Sequence, residues 1–463
     1  MQQVTPTENL DNHTTLPTSY SWTCEQNNTN NAWYVIPSSG QVNNNNKNNS
    51  YAVWAVAESD KLLRELFYAE GDCYKNKKMR FDAARFHFHL AEIFELHTSI
   101  WTESYTPTTS ICFILTYPRY REVFAAKYRD RVTHHLVAPF ILKVTEAVHK
   151  YNGNISHGNR PKLSAQTAAE QIQRNMRDYP DGVVATMDVS GFFMNISRDM
   201  AYEVFERFCY QFRPDGYSDS QIKQMLWILH VLIHHDPTSD CVRNSPISMW
   251  DLIAAHKSIF NANGKGLPIG NFYSQLIANL VLSVWGRAIL DLNLDCRITQ
   301  FVDDLCIVAA NAEIVSIVRK ESERVLSELH LTLHPTKYYI QPVRHGVQFC
   351  GRVIYANRMY ISSRIVRACK NTIKQAILAG ANIENATRLL NSYNSYIGFM
   401  CHMQSYKIQY QLMKMVLDSP YKEFLYFEEK KNQLVCKMFD MYKPQQLHLQ
   451  EIRDLKRYYK STA

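Results

Sequence analysis

Apolar positions along the chain change their period several times, and each change marks a predicted element. Leu62, Leu63, Leu66 and Phe67 recur at helical spacing, and Phe81, Ala84, Arg85 and Phe88 begin a second helical stretch. The segment SICFILTYPRYREVFAAKYRDRVTHH (110–135) reads as a strand, a turn at Pro118 and then a region rich in arginine. VVATMDVSGFFMN (183–195) is a β-branched run that ends at Asp188 and turns at Ser-Gly. Behind it Ser197 is placed to cap a helix with Ala201, Val204, Phe205 and Phe208 on one face. GKGLPIGNFYSQLIANLVLS (264–283) passes from a glycine-punctuated loop into a helix with Leu276, Ile277, Leu280 and Val281 as its buried stripe. TQFVDDLCIVA (299–309) predicts a hairpin with arms QFV and LCIVA and two aspartates at its tip. Beyond about residue 356 the pattern is mostly helical, with Lys and Arg among Tyr, Met and Leu, and no internal repeat is visible.

The first 55 residues stand apart. They are asparagine-rich, above all in NNTNNAWYV (27–35) and VNNNNKNNSYAVWAV (42–56). Polar repeats of this kind suit disorder or a linker. Trp33, Tyr34 and Val35, and then Tyr51, Val53, Trp54 and Val56, equally suit short strands around a turn at Gly40.

At 463 residues the chain exceeds one ordinary core, so several domains or a large lobed enzyme are expected. The net charge of +8 spares the N-terminal segment, where Glu8, Asp11 and Glu25 outnumber Lys47. A basic remainder suits a polyanionic partner, although solubility explains it equally, and the run KNKKMR (75–80) reads as a solvated face. Eleven scattered cysteines contain no C-x-x-C pair, which speaks against a zinc site or a disulfide framework and for a reducing compartment. There is no signal pattern and no apolar run of membrane length, so a cytoplasmic protein without a membrane partner is expected.

The chemistry lies in the aspartates. Asp188 is predicted at the carboxyl end of a strand, and Asp303 and Asp304 at a hairpin tip. A bare Asp-Asp pair usually marks a surface turn. Here apolar strands flank it and Asp188 has a matching context. Were these strands neighbours in one sheet, three carboxylates would converge, repel one another and lose hydration. Divalent cations would relieve that, and two Mg²⁺ roughly 3.5–4 Å apart would make a phosphoryl-transfer site. Between the strands, Gly264, Gly266, Pro268 and Gly270 predict an uncrowded loop whose amides a ligand or base pair could approach.

Taken in order, these stretches resemble the reverse transcriptases. Asp188 with Phe193 resembles motif A, GLPIGNFYSQ (266–275) motif B, FVDD (301–304) motif C, LTLHPTKYYI (331–340) motif D and VQFCGRVI (347–354) motif E. YPRYREVFAAKYRDRVTHH (117–135) is similar to the arginine-bearing fingers motif of the bacterial members. The resemblance covers roughly residues 58–400. It implies an α+β right-hand polymerase: an Asn-rich segment at 1–57, fingers at 58–180, a palm of antiparallel sheet plus helices at 181–355 with a fingers insertion around 206–265, and a helical thumb at 356–463. The Ile-Gly-Asn and Ser-Gln forms of motif B are similar to the reverse transcriptases of diversity-generating retroelements, within the group II intron-like bacterial and phage branch. Residues 19–56 are similar to the variable tail of that system's target proteins, since a template repeat rich in adenine translates into asparagine. That segment reads either as a domain or as an overlapping reading frame.

The resemblance implies primer extension, in which the primer 3′-hydroxyl attacks the α-phosphate of a dNTP. Asp188 and Asp303 would hold two Mg²⁺, with Mn²⁺ able to substitute, Asp304 in support and Val189 contributing its carbonyl. Arg119 and, by preference, Arg121 would meet the triphosphate. Phe193 would lie under the sugar, unless it is a core aromatic beside Phe192, and Ile269, Gly270, Asn271 and Gln275 would complete the dNTP site. Arg131 equally suits a structural partner of Asp130. Lys337 would serve the leaving pyrophosphate, or is simply exposed after Pro335. Phe349, Cys350 and Gly351 would form the primer grip. Ile269 cannot make the hydrogen bond that a glutamine would, which points to relaxed fidelity. Basic helices such as SYKIQYQLMKMVLD (405–418) would hold the template–primer duplex. The implied partners are template RNA, primer and cDNA, dNTPs and a small basic accessory variability protein. The implied function is error-prone cDNA synthesis at template adenines, for mutagenic retrohoming and target-protein diversification. The alternatives are a retron-type or phage-defence reverse transcriptase of ordinary fidelity, and a non-catalytic nucleic-acid-binding module.

Overall fold

The computed structural model describes residues 60–75, 77, 80–116 and 119–442, and residues 21–26, 31–36 and 41–46 as backbone. These fall into two compact units, one of residues 21–150 and 191–281, the other of residues 151–190 and 282–442. Among the described residues no helix is long and apolar enough to cross a membrane. The architecture is α+β.

In the first unit, strands β1 (Ser21–Gln26), β2 (Asn31–Ile36) and β3 (Gln41–Asn46) form an antiparallel sheet. The strand predicted around Trp33 is β2. Its partner is the asparagine run itself, paired from Ile36↔Gln41 to Asn31↔Asn46. The stretch 51–56 lies outside the described residues. Asparagine disfavours strands, so here the backbone ladder rather than side-chain preference sets the pairing.

Helix Lys61–Tyr74 buries Leu62, Leu63 and Leu66 as the spacing predicts. Helix Phe81–Phe88 is out of phase with the prediction. It buries Ala83 and Phe86, while Phe81 and Phe88 are exposed. Strands β4 (Ile111–Leu115) and β5 (Arg121–Ala125) make an antiparallel hairpin that closes at Leu115↔Arg121. The carboxylate of Glu122 is buried and accepts hydrogen bonds from Trp250 Nε1 (2.8 Å), Ser258 Oγ (2.9 Å) and the Ile259 amide (2.7 Å). It thereby ties the 3₁₀ turns of residues 247–261 to β5. Asp130, at the start of helix Tyr128–Tyr151, accepts from Tyr105 Oη and the Thr108 amide. Its ion-pair partner is Arg129 (3.4 Å), not Arg131. Ser197 caps helix Arg198–Gln211 through the Met200 amide, and Ala201, Val204 and Phe205 are buried, with Cys209 rather than Phe208 completing the face.

The second unit centres on a four-stranded sheet. With strand β7 (Val242–Arg243) assigned to the first unit, its strands are β6 (Val183–Asp188), β8 (Cys296–Phe301), β9 (Asp304–Ala309) and β10 (Tyr339–Pro342). They lie in the order β10-β6-β9-β8, every pair antiparallel. Leu305 to Ala309 are all buried, so the central β9 reads as an unbroken apolar run. Helix Ala165–Asp178, fixed by a Ser164–Thr167 capping box, lays Ala168, Ala169, Ile172 and Met176 against the sheet. The same core continues through the hairpin of β11 (Val347–Phe349), β12 (Arg352–Ile354) and β13 (Met359–Ile361) into helices Ser363–Leu378, Ile383–Met400 and Tyr406–Leu417.

The C-terminal region is not wholly helical. A hairpin of β14 (Leu425–Lys430) and β15 (Gln433–Met438) follows the third helix. Asn394 pins it from the helix side, donating to Cys436 O and accepting from Cys436 N, both at 2.8 Å. Alternation along QLVCKM buries Leu434, Cys436 and Met438, a period-2 pattern too short to stand out beside the helices.

Glu122→Ala should destabilise the chain by about 2–4 kcal/mol, because three donors, two of them buried, lose their acceptor. Denaturant unfolding of the purified chain measures this, and Glu122→Gln should recover part of the loss.

Candidate active site

The β6–β9 register places Asp188 directly opposite Asp304. Asp303 occupies the second position of the two-residue turn Val302–Asp303 that joins β8 to β9. The three carboxylates therefore share one end of one sheet. Val302 has φ +57°, a left-handed conformation that a β-branched residue rarely adopts. The turn is closed from the strand before it, where Gln300 Nε2 donates to Val302 O (3.2 Å).

Charge at this end is high. Burial, and then the neighbouring charges of Asp304 and Asp188, push Asp303 up to about 6. Asp188 is ion-paired with Lys337 Nζ. Lys337 reaches it because residues 332–334 run back along the end of β6: Ser190 N donates to Thr332 O (2.8 Å) and His334 N to Asp188 O (2.7 Å). Asp304 accepts a weak hydrogen bond from Cys350 Sγ (3.6 Å). Burial and the Asp304 charge push the Cys350 thiol up, so it remains a donor. Cys350 and Gly351, with φ +44° and +78°, form the two-residue turn of the β11–β12 hairpin, and Phe349 before them is buried. Both positive φ values match the hairpin turn whose twist suits paired strands. The expected carboxylates, Lys337 and the Phe349–Gly351 turn are thus together in this unit. Val189 is there too, its amide donating to Asp303 O (3.3 Å).

Hard carboxylate oxygens and a raised Asp303 suit a divalent cation in kind. In arrangement, no three His, Cys, Asp or Glu among the described residues already form a metal cage, and Lys337 supplies the positive charge at Asp188.

The remaining predicted residues belong to the other unit. Phe193 lies in the short helix Phe192–Asn195, edge-to-face with Phe192 at 5.5 Å, and is half-buried. Ile269 packs with Phe193 against a cluster of Cys112, Phe124, Met194 and Ile259. Its carbonyl accepts from the Phe124 amide (2.8 Å). Asn271 is buried and Gln275 half-buried in the helix beginning at Phe272. Arg119 and Arg121 are exposed at the start of β5. The expectation of open amides in the glycine loop is corrected. Gly266 N donates to Ile196 O and Leu267 N to Phe193 O. Gly270, at φ +119°, lies so close to β5 that a Cβ would come within 2.4 Å of Phe124 O. Its absent side chain admits the protein's own strand.

Sequence reasoning missed residues 152–160. This segment brackets the outer edge of β8 through a parallel bridge, Ser156↔Gln300. Its polar, aperiodic sequence NGNISHGNR offers only the glycines as a signal.

Residues 119–354, just over half of the chain, match the family described as Reverse transcriptase (RNA-dependent DNA polymerase). Among solved structures, telomerase from Candida albicans in complex with a TWJ fragment of telomeric RNA is similar at 11% identity and TM-score 0.39, covering 68% of this chain and 59% of that one. Apo telomerase from Candida tropicalis, truncated from its C-terminal domain, is similar at 10% identity and TM-score 0.41, covering 55% of each chain. The chain thus spans less than two thirds of either telomerase. No curated protein sequence matches it.

The raised Asp303 sets a sign for pH. The folded chain holds this proton more tightly than the unfolded chain, so the stabilisation is complete below about 4 and lost as pH rises through about 6. Without divalent cations, Asp303→Asn should therefore stabilise the chain at pH 7.5, by on the order of 2 kcal/mol. At pH 4.5 it should do little. Paired thermal melts at the two pH values measure the difference.

Proposed function

The chain belongs to the reverse transcriptase family of RNA-dependent DNA polymerases, and we propose that it extends a primer along an RNA template by nucleotidyl transfer. The observation that carries this reading is the Asp188↔Asp304 register with Asp303 at the adjoining tip. Asp188 and Asp303 would hold divalent cations, Mg²⁺ by the hardness of an all-oxygen donor set, with Asp304 and the Val189 carbonyl in support. Such cations, when bound, neutralise the charge of the reacting phosphates. The chain's own residues position. Arg121, and Arg119 beside it, present exposed guanidinium forks to a triphosphate. Lys337 keeps an ammonium at Asp188, within the site that a leaving pyrophosphate would cross.

In this reading residues 58–180 with the excursion after Gly191 serve as fingers, the four-stranded sheet as palm and the C-terminal helices as thumb. Helix Ser363–Leu378 carries Arg364, Arg367 and Lys374 on exposed positions and no acidic residue, which suits the phosphate backbone of a template–primer duplex. The template RNA, the primer and dNTPs are the partners.

The finer reading is a polymerase of a diversity-generating retroelement, working with a small basic accessory protein. Its support is local. Ile269 lies in an apolar cluster, where its side chain offers no hydrogen bond that could discriminate one nucleotide pair from another. The asparagine run of β3 and the sequence around it supply the template-like segment. A retron-type or defence polymerase of ordinary fidelity is the outcome to set against it.

Primer extension with Mg²⁺ on an RNA template, followed by cDNA sequencing, tests both levels. Asp303→Ala should reduce synthesis by roughly a thousandfold or more while RNA binding stays within about threefold. Errors concentrated opposite template adenines support the finer reading, and Ile269→Gln should reduce them several-fold. Faithful cDNA from the wild-type chain rejects that reading and keeps the polymerase.

A further inference from the structure

We propose that residues 154–160 act as a clamp on the catalytic turn, with Gly158 as the positioning residue that lets the clamp close. The proposal rests on the reading of Asp303 as a metal-holding carboxylate.

The clamp is built from backbone. Gln300 N donates to Ile155 O and His157 N to Gln300 O, both at 2.9 Å, so residues 155–157 pair with the last rungs of β8 immediately before the turn. The segment is itself held in shape. Arg160, buried, donates through one guanidinium nitrogen to Ser156 O (2.8 Å) and through the other to Asn154 Oδ1 (2.9 Å). Its near end is anchored by Asn152 Nδ2 donating to Ser283 O (2.8 Å). At Gly286, in helix Phe272–Asp291, a Cβ would come within 2.4 Å of Ile155 Cδ1, so the helix leaves room for the anchor.

Gly158 is the point of contact with the turn. A Cβ there would lie 2.7 Å from Val302 Cγ2 and 2.8 Å from Val302 N. Gly158 does not have positive φ, so its lack of a side chain meets a demand of space and not of backbone conformation. Val302 does have one, at +57°. Strained residues persist where their surroundings over-determine them. Here the surroundings are Gly158 packed on the Val302 amide and Cγ2, and Gln300 Nε2 on the Val302 carbonyl. An alanine at 158 must push Val302, and Asp303 follows directly in the chain.

The test is steady-state primer extension by Gly158→Ala, Val302→Ala and the double variant, with Asp303→Asn as a control. A displacement on the order of 1 Å at a reacting centre lowers turnover by tens to a hundredfold. Gly158→Ala should therefore lower kcat by about tenfold or more, leave the dNTP KM within about twofold, and raise the Mg²⁺ concentration for half-maximal rate several-fold. In the Val302→Ala background, where Cγ2 is gone but the new Cβ still meets the Val302 amide nitrogen at 2.8 Å, the same substitution should lower kcat by a smaller factor than in the wild-type background. A role in stability alone would shift the melting temperature and leave kcat per folded molecule and the Mg²⁺ midpoint unchanged. Wild-type kcat and midpoint in folded Gly158→Ala overturn the clamp. Should that variant not fold, Gln300→Met, which removes the Val302 carbonyl contact, decides: reduced kcat at unchanged dNTP KM supports the clamp, and wild-type kcat overturns it. Full activity of Asp303→Asn would instead overturn the reading of the site on which the clamp rests.

Discussion

Two carboxylates held opposite each other on one rung of an antiparallel ladder are the constraint on which the second unit depends. Like charges so placed repel, and the strands could relieve this only by slipping. Slippage is closed off, because one step of register would turn a whole face of β6 and β9 over, and Val184, Ala185 and Leu305 to Ala309 are buried. The hydrophobic core therefore imposes the proximity of Asp188 and Asp304. The charge is then met in three ways at three residues. Lys337 brings a cation to Asp188, the Cys350 thiol donates to Asp304, and Asp303 gives up part of its acidity. Each device depends on a different return of the chain, from residues 332–337, from the β11–β12 turn and from the β8–β9 turn.

In the first unit the residues proposed to meet the nucleotide are also positioned by backbone, and from one place. Strand β5 begins with Arg121 and carries Glu122, whose carboxylate fixes the 247–261 turns. Its Phe124 amide donates to the Ile269 carbonyl, and its backbone fills the space that Gly270 leaves. Arg121 and Ile269 are far apart in sequence yet depend on the same five-residue strand. A change at Glu122 therefore reaches both, although its side chain is buried.

The aspartates were legible in the sequence because unlike signals coincide there. An apolar run without alternation specifies a central strand, and charge inside such a run has no structural excuse. Ser197 was legible as a cap for an equally local reason, since the hydroxyl and the amide it serves lie three residues apart. What stayed hidden depends on distant partners. The phase of helix Phe81–Phe88 is set by what lies against Ala83 and Phe86, and its two terminal phenylalanines misled the periodicity. Gly270 and Gly158 look alike in sequence to any loop glycine. Only the strand beside one and the turn beside the other reveal that both admit protein backbone. The β14–β15 hairpin was hidden because its pinning residue, Asn394, is an ordinary polar position on a helix.

The valine at the hairpin tip completes the logic of the carboxylates. A glycine at 302 would take the left-handed conformation without strain, whereas a valine costs on the order of 1–3 kcal/mol. A relaxed tip would also be a mobile one, and mobility would let Asp303 swing away from Asp188 and Asp304 toward water. Repulsion and the cost of burying a carboxylate would both drive that motion. A branched side chain fenced by Gly158 and held at its carbonyl by Gln300 removes the escape. The strain in the backbone and the raised pKa of Asp303 are then two expressions of one requirement: negative charge kept concentrated at the end of a buried sheet, where a cation or a proton relieves it.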